Sequence, residues 1–392
     1  MTSNPPYDNP TANRVPIMAL IALFILGCFP NAVLLCAPAI SNELIHVYHL
    51  DASQIGLFFS IEFAGYAVTG IAGTFFLSKF DWAKLVKFAI LFFILGNVLS
   101  MFVLENFTLF MIIRGLTSIL GGCLLNLMGL TFSGASPQSG RAYACYILGQ
   151  LTFGVVGLFI FPKLFPTMGL SIFFISISIF AVLFVPFIKY LPEKTSQNIV
   201  KAERGQLSIN LMTIGITTIT LFYLGLVGVW TFVGEIGKSI NISDQQMGMV
   251  LSFATFAGVL GSGVTAVISG RVKSMFITVS GMLIMVISIL IFSISTEIIL
   301  YFIAAFLFKF AWTYVIPIIL ETVSKADDTG RLLSFASSGI GFGMMIGPLI
   351  AGMIITASNG YTAMLIISAV FSALSFGGIL MLNKYTSQTK FD

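Results

Sequence analysis

Residues Gln54 to Lys79 read QIGLFFSIEFAGYAVTGIAGTFFLSK, and residues Gln246 to Arg271 read QMGMVLSFATFAGVLGSGVTAVISGR. An offset of 192, from 54 to 246, lays Gln54 on Gln246, Gly56 on Gly248, Ser60 on Ser252 and Lys79 on Arg271. A second set agrees at an offset of 190, from 140 to 330. Gly140, Arg141, Gly149 and Gly157 fall on Gly330, Arg331, Gly339 and Gly347. Shared apolar letters between apolar segments arise by chance. Glycines and cations kept at two nearly equal offsets indicate a duplicated bundle of membrane helices. The difference between the copies carries as much information as the match: Glu62 stands where the second copy has Ala254.

Composition supports the membrane reading. Of 392 residues, 57% are hydrophobic and 9% charged, with a mean hydropathy of +1.02. A soluble chain of this length needs far more polar surface to cover its core. Helices are the expected crossing elements, because they satisfy their own backbone hydrogen bonds in lipid. A barrel would show short alternating strands, whereas this chain shows long continuous apolar runs. The net charge of +4 is no signature of nucleic-acid binding. Cys28, Cys36, Cys123 and Cys145 lie in apolar runs without CxxC or Cys/His spacing, so they read as small buried hydrophobes and neither a metal nor a cofactor is expected.

Twelve apolar runs are long enough to cross a hydrocarbon core of about 30 Å. They are roughly 16–40, 53–77, 83–104, 108–132, 141–162, 168–190, 209–234, 247–269, 274–295, 298–320, 332–356 and 361–383. The expected organisation is a tail over 1–14, a six-helix bundle over 15–190, a linker over 191–208, a second six-helix bundle over 209–385, and a tail over 386–392. Placing both ends in the cytoplasm puts 15 of the 19 Lys and Arg residues on the cytoplasmic side and only Lys163 and Lys238 opposite, as the positive-inside rule requires. The remaining two, Arg114 and Lys309, fall inside spans.

Twelve spans in two similar halves with a central linker resemble the major facilitator superfamily of transporters. The resemblance extends from about residue 14 to the end. Arg114 to Gly122, RGLTSILGG, is similar to the family's Arg-x-x-x-Gly-x-x-x-Gly pattern in the fourth span, with Ser118 in the first glycine position. TFFLSKFDWAK, residues 74–84, departs from the family's loop between spans two and three. Lys79 stands for an arginine, but Ser78 replaces the aspartate. The fifth span has Gly149, Gly154 and Gly157 but lacks the Gly-Pro that ends the antiporter motif; a Gly-Pro occurs instead at Gly347-Pro348. The resemblance implies an all-α fold of 12 transmembrane helices in two six-helix pseudo-repeats, working by alternating access.

Ionisable groups within lipid are costly, which makes the few present functional candidates. Glu62 sits near the middle of span two, with Tyr66 one turn on along the same face. It reads as a proton carrier or as the partner of a buried cation. Arg114 must pair or face water. It binds an anionic part of a substrate, or holds Glu62 in its charged form, or does both in turn and so couples the two. Lys309 lies mid-span with Trp312 and Thr313 on its face, pointing to a substrate cavity rather than to snorkelling at an interface. Asn31, Gln150 and Asn126 are further polar donors for a cavity. Glu235 and Lys238 read as wet interfacial charges, Trp230 and Tyr223 as packing aromatics, and His46 and His49 as exposed loop residues. Gly65, Gly73, Gly343, Gly347 and Pro348 are expected to let spans two and eleven approach and slide.

The expectation is a secondary transporter of a bacterial cytoplasmic membrane. It moves a small organic solute with protons as the coupling partner, as a monomer in the lipid bilayer and without nucleic acid. Proton coupling falls to Glu62 and Arg114, and substrate binding to Arg114, Lys309, Tyr66, Trp312, Asn31 and Gln150. Efflux is one direction; uptake of an organic anion is the alternative, and a sensor without transport is the alternative of another class. An enzyme would need a nucleophile with its base, or a metal set, and no HExxH, GxSxG or His/Asp cluster occurs.

Overall fold

A computed structural model describes residues 15–77, 79–136, 138–191, 209–269, 271–325 and 331–388. The expected N-terminal tail and nearly all of the linker lie outside these residues. So do Ser78 and Gly330.

Among the described residues there is no β-strand, only one isolated bridge from Ser269 to Val272. Eleven helices are long and apolar enough to cross a membrane. The twelfth crossing is span one, which is broken into Ile17–Cys28, Ala32–Leu35 and Ala37–His46. Pro30 and Pro38 bring no N–H to the helical ladder, so the chain interrupts at Phe29–Asn31 and at Cys36. The remaining spans are two, Ala52–Phe76; three, Trp82–Phe102; four, Phe107–Ala135; five, Ser139–Met168; and six, Ser171–Phe184 with a 3₁₀ turn to Tyr190. Then come seven, Ile209–Ser239; eight, Asp244–Ile268; nine, Ser274–Ile294; ten, Ile298–Lys325; eleven, Arg331–Ser358; and twelve, Thr362–Gln388. Span four is not one regular helix. It instead widens into a π-helical turn over Ser118–Gly122, the stretch that resembles the family pattern.

The duplication seen in the sequence is structural. Spans two and eight begin at Ala52 and Asp244 and end at Phe76 and Ile268, each 192 positions apart and each 25 residues long. Both open with a reciprocal capping box, Asp51 with Gln54 and Ser243 with Gln246. The matched glutamines are thus the third residues of two copies of one helix start. Within the halves, Gly149 faces the Phe24 carbonyl and Gly339 faces that of Ile216, again at offsets of 190 and 192.

The halves meet along spans two and eleven and along spans five and eight. Two contacts are pseudo-symmetric. Gly56 lies against the Pro348 carbonyl, and Gly248 against that of Leu158, where an added β-carbon would come within 2.6 Å of the oxygen. Only a glycine admits the neighbouring backbone so close. Gly56 and Gly248 are related by 192 positions, and Leu158 and Pro348 by 190.

Hydrogen bonds across the halves gather toward the side opposite the chain termini, termed the far side. Ser53 Oγ donates to Thr356 Oγ1 at 2.9 Å, Ser252 Oγ to the Val155 carbonyl at 2.8 Å, and Asn42 Nδ2 to Asp244 Oδ1 at 2.9 Å. The far side is therefore closed in this conformation.

Candidate substrate and proton site

Glu62 comes from the middle of span two and Arg114 from span four, seven residues beyond its first residue Phe107. Both are buried, at 6% and 1% exposure. Arg114 donates from Nε to Glu62 Oε2 at 2.9 Å and from Nη2 to Oε1 at 2.6 Å. Two parallel N–H donors on two carboxylate oxygens make the strongest form of this contact. Its third group, Nη1, donates to Asn97 Oδ1 at 2.7 Å, and Asn97 Nδ2 donates to the Phe93 carbonyl at 2.8 Å. The Phe174 ring lies 4.9 Å from the guanidinium carbon. Ser118, at the start of the π turn, donates its hydroxyl to the Glu62 backbone carbonyl. Spans two, three, four and six thus converge on one ion pair.

Tyr66 does not reach Glu62 by any hydrogen bond. Its hydroxyl donates to Asn31 Oδ1. Asn31 Nδ2 in turn donates to Asn126 Oδ1 at 2.8 Å, and the same oxygen accepts from the Tyr146 hydroxyl at 2.8 Å. Gln150 lies one turn beyond Tyr146 on span five. These polar groups from spans one, two, four and five sit beside the ion pair. A cavity of about 10 Å³ lies between Glu62, Tyr66, Ser118 and Leu34. That is room for about one water molecule. No organic solute fits there in this conformation.

Lys309 belongs to the other half. It is 5% exposed, and among the described residues no carboxylate lies within 4.0 Å of it. Its Nζ is 3.5 Å from the centroid of the Trp230 ring and 4.0 Å from that of Trp312. The two indoles meet edge to face at 6.2 Å. Indole faces stabilise an ammonium without neutralising it. Trp230 Nε1 donates across the halves to the Leu34 carbonyl at 2.8 Å, so one side of the Lys309 cage is fixed to span one. Leu34 also lines the cavity at Glu62.

Several expectations change. Glu235 is no wet interfacial charge: it is 3% exposed, and its Oε2 lies 3.2 Å from His46 Nε2. Lys238 pairs with Asp244 at 2.6 Å instead. Trp230 is more than packing, since it caps Lys309. Thr313 shares the helix face of Lys309 but turns to span eight, donating to the Gly258 carbonyl at 2.6 Å. Gly65 and Gly73 face span four, and Gly343 and Gly347 face span seven, so these four pack helices within a half. The contact of spans two and eleven is made by Gly56 on Pro348, by Gly352 on Ala52 and by Gly341 on Ala67. Asn97 and Phe174 escaped the sequence reading. Asn97 gave a faint signal as the one amide in the apolar run AILFFILGNVLSMF, and Phe174 gave none.

With this geometry in place, comparison with known proteins places the chain. The family model described as Major Facilitator Superfamily matches residues 17–326 and, in a second match, 215–391. The chain belongs to the Major Facilitator Superfamily. Solved superfamily structures share its fold. The nucleoside transporter NupG aligns with a TM-score of 0.70 at 12% identity, over 94% of this chain and 98% of that one. The xylose transporter XylE from E. coli, in an inward open conformation, gives 0.71 at 14% identity over 92% and 94%. A bacterial homologue of the human lysosomal transporter Spinster, inward-facing and unoccupied, gives 0.71 at 13% identity over 97% and 98%. No curated protein matches at the level of sequence. The superfamily fold thus accounts for the twelve crossings and makes this a multi-pass membrane protein.

Proposed function

We propose that this protein is a secondary active transporter that carries a small organic solute with an anionic group across a bacterial cytoplasmic membrane. It works by alternating access, coupled to protons, with both termini in the cytoplasm. The observation that carries the proposal is an imbalance between the two copies. The first copy holds a buried carboxylate fully engaged by a guanidinium. The second holds a buried ammonium with no carboxylate beside it among the described residues.

The mechanism follows from charge. Arg114 holds both Glu62 oxygens as long as the bidentate contact stands. A solute carboxylate or phosphate drawn to Lys309 competes for Arg114 once the conformation opens a space between them. A displaced Glu62 in this desolvated setting is stable only with a proton. Solute and proton thereby exchange places on one arginine. Asn31, Asn126, Tyr66 and Gln150 supply hydrogen bonds to the uncharged part of the solute. The chain acts as a carrier and not as an enzyme, and a single copy contains the complete site. Efflux and uptake use the same cycle; uptake of an organic anion is favoured where Lys309 is the high-affinity element.

The test is proton flux in proteoliposomes containing a pH dye. Organic acids, amino acids, sugars and lipophilic cations are added one class at a time to wild type and to Glu62→Gln. Flux is expected with one anionic or zwitterionic class and is expected to vanish in Glu62→Gln, while binding of the solute persists. Uptake of labelled solute without any pH change in wild type would remove the proton from the mechanism. No uptake and no flux with a solute that binds would identify a sensor.

A further inference from the structure

The far-side contact between the halves contains ionisable groups that the transport site does not use. His46, at the end of span one, places Nε2 3.2 Å from Glu235 Oε2 of span seven. The imidazole is 49% exposed and the carboxylate 3%. Its second oxygen, Oε1, is buried and has no hydrogen-bond partner among the described residues. The pair joins the first half to the second, so it exists only while the far side is closed. It is fastened beside two other cross-half contacts: Asn42 on Asp244 at 2.9 Å, and Gly234 against the Pro38 carbonyl.

Of the charged and titratable groups around the pair, Lys238 and Tyr301 are committed elsewhere, Tyr361 stays neutral, and Glu43 is a second buried carboxylate near His46. Lys238, on the same helix as Glu235, pairs with Asp244 of span eight at 2.6 Å. The Tyr301 hydroxyl of span ten donates to the Val233 carbonyl at 2.8 Å and not to Glu235. Tyr361, ahead of span twelve, has its hydroxyl pushed up to about 12 by burial and by the Glu235 charge, so it remains protonated. Glu43, three residues before His46, is buried with its own Oε1 unpartnered. Tyr48 lies in the loop just beyond it.

We infer that His46 and Glu235 form a second proton-binding site, separate from Glu62 and Arg114, which latches the far side shut only while the pair holds its proton. With that proton, imidazolium and carboxylate neutralise each other across the seam. Loss of the proton leaves a carboxylate buried in the interface without a counter-charge, which burial makes unfavourable. Separation of the halves relieves this by letting water reach Glu235. The exposed imidazole supplies the route by which far-side solvent delivers or removes the proton. The sign is therefore fixed: the closed population falls as far-side pH rises.

The size follows from exposure. Breaking a fully buried pair shifts an equilibrium by a hundredfold or more, about 3–5 kcal/mol. A half-exposed imidazole is screened, which brings the expectation down to roughly tenfold.

The test uses full-length protein in lipid nanodiscs, with Cys145 replaced by Ser and spin labels at Phe102→Cys and Ile294→Cys. Both label sites are exposed, one at the far end of each half, and Cys28, Cys36 and Cys123 are buried. Pulsed dipolar distances are read between pH 5 and 8.5 in wild type, His46→Gln, Glu235→Gln and Glu62→Gln. In wild type the ratio of short-distance to long-distance population is expected to fall roughly tenfold over this range. Glu235→Gln should flatten the profile, and His46→Gln should change its midpoint, because the imidazole that shares the proton is gone. Glu62→Gln should offset the ratio equally at every pH and leave its slope in place, so failure of the proposed coupling residue and failure of the latch are read separately. A wild-type profile without pH dependence overturns the inference, as does a profile unchanged in both His46→Gln and Glu235→Gln.

Discussion

Replacing Arg114 by Met is the sharpest probe of the ion pair at the centre of the first half. Arg114 makes two contacts to Glu62 and one to Asn97, all between 2.6 and 2.9 Å, and is 1% exposed. Methionine has similar length and no charge, so little packing is lost. What remains is a carboxylate at 6% exposure without its cation. Orphaning one partner of a buried pair costs about 3–5 kcal/mol, against about 0–1 kcal/mol for an exposed pair. The carboxylate can escape by taking a proton, so the loss in Arg114→Met should shrink as pH falls. The sign is opposite to that of a carboxylate stabilised in its charged form, whose contribution is lost toward acid. Glu62→Gln leaves an arginine that cannot discharge, and its loss should not vary with pH. The double variant Glu62→Gln/Arg114→Met buries no charge and should recover most of the stability. Unfolding in nanodiscs at pH 5, 6, 7 and 8 gives all four free energies of the cycle. Losses that add within about 0.5 kcal/mol would mean that the two side chains act independently, and the reasoning from the bidentate contact would fail. An acid-independent Arg114→Met would refute it equally.

Three further outcomes are expected. Lys309→Met should raise the KM for an anionic solute by at least about tenfold, the weight of one desolvated charge–charge contact, and Lys309→Glu should abolish its uptake; a radiolabelled flux assay reads both. Gly248→Val and Gly56→Val each place a side chain against a backbone carbonyl of the opposite half, so both should hold the far side open, measured as faster labelling of a far-side cysteine. Trp230→Phe keeps an aromatic face near Lys309 but loses the N–H bond to the Leu34 carbonyl at 2.8 Å. One hydrogen bond of about 1 kcal/mol should shift the open-to-closed ratio roughly fivefold in dipolar measurements.

The sequence made some of this legible, and the reasons are physical. Twelve crossings are written in composition and length, because lipid tolerates nothing else. The duplication is written in positions where backbones touch or helices begin, such as Gly56 and Gly248 or Gln54 and Gln246, where substitution is costly. Glu62, Arg114 and Lys309 stood out because charge in an apolar run is rare. Their partners did not. Nothing in a linear sequence says that Arg114 reaches across to Asn97 and over Phe174, or that Trp230 lies on Lys309, since those contacts depend on how the helices rotate. Glu235 was misread for a related reason. Its place at a helix end suggested water, but the broken first span folds His46 over it. The glycines of spans two and eleven were legible as packing residues, but not which neighbour each one meets.

The π turn in span four has a geometric consequence. Each residue of an α-helix advances the chain by roughly 100°, so the twelve steps from Arg114 to Asn126 would leave the two roughly 120° apart. The wider turn over Ser118–Gly122 absorbs one step, and eleven effective steps leave them roughly 20° apart. Arginine and asparagine thus look the same way from one helix, the first toward Glu62 and the second toward Asn31 and Tyr146. Span ten, the corresponding helix of the second copy, runs unbroken from Ile298 to Lys325 and has no such phase correction. A single residue removed between Ser118 and Gly122 would leave eleven ordinary steps, so an unbroken α-helix would keep both clusters aimed as they are and only the wide turn would be lost.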